Sequence, residues 1–338
     1  MQKTVFVVDD NALNLAIARD ALKDQYRVRT ISSAAKMFEI MEKAVPDLIL
    51  LDIQMPEMDG FEVLRILKEN EATADIPVIF VTALNNTDVE VRGFEMGVID
   101  FITKPFSPPV LQNRVKTHLN IDAIIRERTA QLRELQNALV FTLADMIESR
   151  DSATGGHVTR TTTYFKILIE EMIRQGVYLD EIMEMNIDAT VSSSGLHDVG
   201  KISITDAILN KPGKLTENEF DVMKTHCTVG ERIIASITSE SNTVELLRSA
   251  KLIAGNHHER WDGKGYPNGL SGTEIPLHGR IAAVVDVYDA LVSERPYKKA
   301  LPPDEAVQII MENTGTQFDP LITEVFYKVK EQLKDIKI

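Results

Sequence analysis

The chain has 338 residues but only one cysteine, and no apolar run approaches the roughly 18 residues of a membrane span. Cys227 cannot form an internal disulfide, which favours a reducing compartment. The first residues enter a strand pattern at once and show no signal-peptide layout. These absences exclude a disulfide scaffold and predict a cytoplasmic protein without a membrane partner.

Positive charge is also scarce. The chain has 37 Lys and Arg against 51 Asp and Glu, for a formal net charge of −14. A groove that neutralises nucleic-acid phosphates needs a basic surface, so we expect no DNA partner. A small anionic substrate is still compatible, since a bound metal ion supplies local positive charge. The length and the apolar fraction of 44% suggest two domains with ordinary cores.

The first domain is predicted over residues 1–120. Short apolar runs at 5–8, 48–51 and 78–81 read as buried parallel strands, and they alternate with stretches of helical spacing. This alternation predicts an α/β doubly wound, five-stranded parallel sheet. In such sheets the chemistry lies at the carboxyl ends of the strands.

Polar residues follow those strands in order: Asp9, Asp10, Asp52, Thr82 and Lys104. Converging carboxylates repel one another unless a cation lies among them, and a hard oxygen site of this kind suits Mg²⁺. One carboxylate could then attack a phosphoryl group while the metal and the lysine stabilise the charge.

This set resembles the receiver domain of two-component response regulators. The resemblance implies that Asp52 is phosphorylated by a cognate sensor histidine kinase, while Asp9 and Asp10 hold Mg²⁺. It further implies that Thr82 and Lys104 contact the acyl phosphate and that Phe101 is the switch aromatic. Lys104-Pro105 matches the family's customary cis peptide.

A helical connector is predicted over residues 107–146. Apolar residues recur there at an imperfect heptad spacing, with charges at outer positions. The pattern favours pairing with a second copy in a homodimer. A solvated linker helix packed on its own domains is the alternative.

The second domain, predicted over residues 142–338, has helical periodicity throughout and reads as an all-α bundle. It holds five clustered histidines, including the doublets His197-Asp198 and His257-His258, with Asp286 further on. So many imidazole and carboxylate groups exceed the needs of one ion, which predicts two metals about 3.5–4 Å apart. Fe, Mn and Zn all suit these ligands.

The strings Leu196–Lys201 and His257–Pro267 are similar to those of HD-GYP domains, which hydrolyse cyclic di-GMP at a metal centre. The resemblance implies that Asp198 bridges the metals and that Lys201 stabilises charge in the transition state. Cys227 and His278 are not expected to be ligands. The implied metal ligands are His157, His197, Asp198, His226, His257, His258 and Asp286.

The same resemblance implies five substrate-binding residues: Tyr266, Pro267, Arg280, Arg295 and Lys298. Ala153 stands where some family members carry a carboxylate that helps hold a third metal, so two metals are expected. The implied product is the linear dinucleotide, and the sequence leaves GMP open. The alternatives are a metal phosphohydrolase for another cyclic or linear dinucleotide, and a non-catalytic binding or adaptor module.

Overall fold

The computed structural model describes residues 2–70, 72–83, 87–150, 156–238, 245–294 and 299–336. The chain divides into two compact units, Met1–Leu132 and Arg133–Ile338. The division falls within the connector predicted over 107–146. No helix in the described ranges is both long and apolar enough to cross a membrane.

The first unit is the predicted five-stranded parallel sheet, with strand order β2-β1-β3-β4-β5. Chain order reverses beside β1, so the carboxyl ends of β1 and β3 border a crevice. The strands are β1 Thr4–Val8, β2 Arg27–Ile31, β3 Leu48–Asp52, β4 Val78–Thr82 and β5 Asp100–Thr103.

Helices cover both faces of this sheet. Each face has its own apolar cluster, because β3 and β4 are buried on both sides. The α3 helix starts sharply, since Asp59 and Glu62 form a reciprocal capping box. The helices are α1 Ala12–Leu22, α2 Ala34–Met41, α3 Gly60–Glu69, α4 Thr87–Glu95 and α5 Pro108–Glu148.

The α5 helix contains 41 residues and confirms that the connector is helical. Its predicted seam carries exposed apolar side chains, among them Ile125, Leu132 and Leu139. His118 of α5 contacts β5: its Nε2 lies 2.9 Å from Asp100 Oδ2.

The second unit is helical, as predicted, with no strand longer than an isolated bridge among its described residues. Short 3₁₀ segments at Ser194–Leu196, Val199–Ser203 and Gly272–Glu274 join some of its helices. The helices are α6 His157–Gln175, α7 Leu179–Met183, α8 Ile187–Ser193, α9 Asp206–Leu209, α10 Glu217–Thr238, α11 Glu245–Asn256, α12 Leu277–Val292, α13 Pro303–Glu312 and α14 Pro320–Lys334.

The core of this unit forms around α12, which is buried along most of its length. Tyr288 on α12 packs edge-to-face against Tyr164 of α6 and Phe326 of α14, each with ring centroids 5.2 Å apart. Such aromatic pairs add to the stabilisation from burial alone. The packing fixes α6 and α12, which carry two of the predicted metal ligands.

Candidate functional sites

Lys104 holds together the predicted phosphoacceptor site of the first unit. Its Nζ lies 2.8 Å from Asp9 Oδ2 and 2.6 Å from Asp52 Oδ2. Asp9 also accepts hydrogen bonds from the backbone of Asn11 and the amide of Asn14. The strand ends therefore bring together the two carboxylates and the lysine that the sequence placed on separate strands.

Two carboxylates at this site are buried, while Asp10 is exposed. Burial raises the pKa of Asp52, and the charge of Asp9 raises it further, although Lys104 opposes both. Asp9, Asp10 and Asp52 each offer one carboxylate oxygen, and these three oxygens lie within 4.8 Å of one another. This all-oxygen set fits a hard cation such as Mg²⁺.

The predicted switch residues lie beside this site. Thr82 ends β4 and is buried, while Phe101 on β5 is half-buried. The Phe101 ring packs edge-to-face against Phe80 and Phe94, with centroid distances of 5.6 and 5.1 Å. The Lys104-Pro105 peptide is cis, as predicted.

In the second unit, separate elements bring all seven predicted metal ligands into one place. His157 begins α6, and His197 and Asp198 lie between two 3₁₀ segments. His226 is on α10, the doublet His257-His258 follows α11, and Asp286 is on α12. The carboxylate of Asp198 lies between two groups of imidazoles.

The first group contains His157 and His197, whose Nε2 atoms are 3.2 Å apart. Asp286 Oδ1 lies 3.7 Å from the first of these nitrogens and 3.8 Å from the second. Asp198 Oδ2 lies 3.4 Å from His197 Nε2. Four side chains thus point ligand atoms at one small volume.

The second group contains His226 and His257, whose Nε2 atoms are 3.3 Å apart, and His258. Asp198 Oδ1 lies 3.4 Å from His226 Nε2 and 3.8 Å from His257 Nε2. This oxygen is buried and has no hydrogen-bond partner. The two oxygens of Asp198 therefore face different histidine groups, as a bridging carboxylate requires.

Hydrogen bonds on the other ring nitrogen fix the histidine tautomers. The Nδ1 atoms of His197, His226 and His257 each lie within hydrogen-bond distance of a backbone carbonyl, so they carry the proton. His157 Nδ1 donates to Asp289 Oδ2 at 2.7 Å. The Nε2 atoms then face one another, an arrangement that a bound cation would stabilise.

The spacing of these nitrogens also fits a metal. Two nitrogens separated by 3.2 Å subtend roughly 100° at an ion about 2.1 Å from each, close to tetrahedral and octahedral angles. The donor set is imidazole and carboxylate, which suits divalent transition metals. The residues present thus fit a pair of metals bridged by Asp198.

Burial and mutual repulsion keep part of the site uncharged. Burial lowers the pKa of His258 to about 3 and that of His257 well below its usual value. Burial also acts on His197, but the nearby Asp198 outweighs it and raises the pKa of His197 to about 9. Lys201 and His197 hold the pKa of Asp198 well below its ordinary value despite its burial.

A cavity of about 340 Å³ opens beside the carboxylate–histidine centre. Lys201 lines it, with Nζ 2.8 Å from Asp198 Oδ2. The centre therefore occupies one wall of a space large enough for a small ligand. Apolar or aromatic residues line another part of the cavity: Ile208, Leu209, Leu215, Met223 and Tyr266.

The predicted substrate-binding residues differ in whether they line this cavity. Tyr266 lines the cavity and lies against His258, with ring centroids 4.8 Å apart. Pro267 follows it through a cis peptide. Arg280 does not line the cavity: its side chain is 2% exposed and donates to Asp319 and Glu181. Arg295 and Lys298 lie outside the described residues, as does Ala153.

Asp289 is a site residue that the sequence did not suggest. It accepts from His157 Nδ1 and also binds Arg160 Nε, at 2.6 Å. The spacing along the sequence could have indicated this residue, because Asp289 lies three residues after Asp286 and hence on the same face of α12.

Glu148, at the end of α5, also lies at this site. It lines the cavity, and its Oε2 accepts from the backbone N–H of Val158. Because Gly156 has no side chain to cap α6, Glu148 satisfies one of the free N–H groups at the start of that helix.

Comparison with known proteins agrees with this two-part architecture. Residues 5–116 match the family model of the response regulator receiver domain, and residues 142–322 match that of the HD domain. A Vibrio cholerae protein named probable cyclic di-GMP phosphodiesterase is 39% identical over 99% of this chain and 79% of its own length.

Two further relatives show the range of named activities. The Xanthomonas campestris cyclic di-GMP phosphodiesterase response regulator RpfG is 34% identical over 98% of this chain and 89% of its own length. A Vibrio cholerae 3′3′-cGAMP-specific phosphodiesterase is 39% identical over 57% of this chain and 35% of its own length.

Proposed function

Because the chain belongs to the response regulators in which a receiver domain precedes an HD domain, we propose that it hydrolyses cyclic di-GMP. The proposed product is the linear dinucleotide, and the reaction takes place at the Asp198 centre. Phosphorylation of Asp52 by a cognate sensor histidine kinase controls it. The single cysteine supports a cytoplasmic location.

One observation carries the proposal: Asp198 lies between two histidine groups and beside Lys201, on the wall of the cavity. Two divalent metals, of Fe, Mn or Zn type, would supply an activated water and positive charge for a phosphodiester. His157, His197 and Asp286 would hold one ion, His226, His257 and His258 the other, and Asp198 would bridge them.

The protein's own residues then orient the substrate. Lys201 Nζ is held by Asp198 and faces the cavity, where it can stabilise negative charge that develops on a phosphate. Tyr266 and Met223 provide aromatic and apolar surface for a nucleobase. Asp289 keeps His157 in the tautomer that presents Nε2 to the centre.

The test is a product assay on the full chain, loaded in parallel with Fe²⁺, Mn²⁺ or Zn²⁺ under anaerobic conditions. At least one metal should support hydrolysis of cyclic di-GMP, followed by chromatography of the linear dinucleotide and GMP. Asp198→Ala should lose metal and activity together, whereas Asp221→Ala, at an exposed aspartate on α10, should keep both. Tight binding of intact cyclic di-GMP without turnover would instead identify a binding module.

A second candidate substrate is 3′3′-cGAMP, because three relatives are named for it. The same assay with both cyclic dinucleotides at equal concentration gives the ratio of their kcat/KM values. A ratio that favours 3′3′-cGAMP would replace the proposed substrate and leave the metal centre intact.

We also propose a homodimer formed through α5, since its exposed apolar side chains would be covered by a second copy. Sedimentation of the full chain measures this state directly, and a monomer at all accessible concentrations would contradict it.

A further inference from the structure

Cys227 lies inside the second histidine group. It follows His226 on α10 and is fully buried. Its Sγ is 3.4 Å from His226 Nε2, and ligand atoms of His226, Cys227, His257 and His258 all lie within 4.8 Å of one another. A cysteine that merely fills the core would instead contact apolar side chains, yet Cys227 belongs to none of the four apolar clusters found among the described residues.

Apart from the thiol itself, the polar atoms that face this sulfur are acceptors. His226 and His257 are 1% and 2% exposed, and their Nδ1–H groups donate hydrogen bonds to backbone carbonyls. Their Nε2 atoms therefore present lone pairs to each other and to Asp198 Oδ1, which itself has no hydrogen-bond partner. Such a set of buried acceptors is costly unless a cation lies among them.

We propose that the Cys227 thiolate is an additional ligand of the metal held by His226, His257, His258 and Asp198. The inference rests on the metal centre of the proposed function. At ordinary bond lengths of about 2.3 Å to sulfur and about 2.1 Å to nitrogen, the 3.4 Å separation corresponds to an angle of roughly 100°. This separation is compatible with sulfur and nitrogen as ligands of the same ion.

Metal binding at this sulfur releases a proton. A free cysteine thiol is mostly protonated at neutral pH, and the thiolate is the form that binds a metal. When the metal–sulfur bond forms, the thiol proton passes to solvent and the oxidation states do not change. A thiolate ligand also makes this half of the centre favour Zn²⁺ or Fe²⁺ over Mn²⁺.

The experiment uses Co²⁺ as a spectroscopic probe in the full chain. Because Cys227 is the only cysteine, a thiolate-to-cobalt charge-transfer band has a single assignment. Wild type with two bound Co²⁺ should show the band, and Cys227→Ser and Cys227→Ala should lack it. Thr228→Ser, a conservative change at the next residue of α10, should keep it. Calorimetry in buffers of different ionisation heat should find about one proton more released by wild type than by Cys227→Ser.

The outcomes separate the two proposals. Two Co²⁺ per chain without the band, or equal proton release by wild type and Cys227→Ser, would overturn the role of Cys227 and leave the centre standing. Failure of wild type to bind cobalt would overturn both the centre and its sulfur ligand. The wild-type spectrum decides the question even where a variant fails to fold.

Discussion

At the residue scale, the chemistry of the second unit depends on which nitrogen of each histidine is free. The Nδ1–H groups donate hydrogen bonds to backbone carbonyls and to Asp289, and all four Nε2 atoms converge near Asp198. The Nζ atom of Lys201 lies 2.8 Å from Oδ2 of the Asp198 carboxylate. In the proposed function Asp198 holds metal and Lys201 acts on charge in the transition state, so substitutions at the two residues should have different effects.

Lys201→Ala should keep the metals and lose rate. The lysine acts on charge that develops in the transition state, and the loss of one such group costs about 10²–10³-fold in kcat. KM and metal content should change little, as measured by steady-state kinetics and metal analysis. Lys166→Ala, at an exposed lysine of α6, is the matched control. Normal turnover by Lys201→Ala would show that its assigned role is wrong.

His278 should make the folded state sensitive to acid. Burial, helped by Arg248, lowers its pKa to about 4 from 6.5, and its Nε2 has no hydrogen-bond partner. The unfolded chain therefore binds a proton that the folded one does not, and stability falls as pH drops below about 6.5. The loss continues until the pH reaches the folded pKa.

The measurement is the free energy of unfolding of metal-free wild type and His278→Gln. From about pH 7 to about pH 5, wild type should lose about 2 kcal/mol more than the variant, which cannot titrate at this position. The buried His257 and His258 contribute equally to both proteins and cancel in the difference. Parallel pH curves for the two proteins would contradict the assignment.

At the element scale, Glu148 at the end of α5 and Arg150 just beyond it contact two segments beside the ligand centre. Glu148 accepts from the backbone near the start of α6, which His157 begins. Arg150 donates to the carbonyls of Ile202 and Ile204, in and just beyond the 3₁₀ segment that carries Lys201. Residues at and just beyond the end of α5 thus support the start of α6 and the segment that carries Lys201.

Arg150→Ala should lower activity without removing metal. Loss of its hydrogen bonds and of its 2.8 Å contact with Asp206 loosens the Lys201 segment, and we expect kcat to fall roughly tenfold, equivalent to about 1.4 kcal/mol. Arg128→Ala, at an exposed arginine of the same helix, should be neutral. Unchanged kinetics in Arg150→Ala would mean that the end of α5 does not position the centre.

At the scale of the whole molecule, the chain joins a phosphoacceptor site to a separate carboxylate–histidine centre. Asp52 is buried next to Asp9, and Lys104 pairs with both. Phosphorylation adds negative charge at this point and changes the partners available to Lys104 and Thr82. We therefore expect phosphorylation of Asp52 to change the activity at the Asp198 centre or the oligomeric state of the protein.

A small phosphodonor with Mg²⁺ should change product release or dimerisation of wild type. Asp52→Ala should not respond, whereas Asp24→Ala, at an exposed aspartate of the same unit, should behave like wild type. Sedimentation and phosphodiesterase assays would be followed together. The same response in Asp52→Ala, or none in wild type despite confirmed phosphorylation, would show that the receiver does not regulate the enzyme through Asp52.

The sequence by itself determined the two-part architecture, the strand-end carboxylates and the identities of the metal-ligand candidates. Hydrophobic periodicity fixes strands and helices, and short strings such as His197-Asp198 carry their chemistry locally. Only the tertiary structure decided which groups meet. Asp289 accepts a hydrogen bond from His157, which lies 132 residues away in the chain. Arg280 donates to Asp319 and does not line the cavity. Cys227 points at a ligand cluster because of how α10 and α11 pack, which no local pattern specifies.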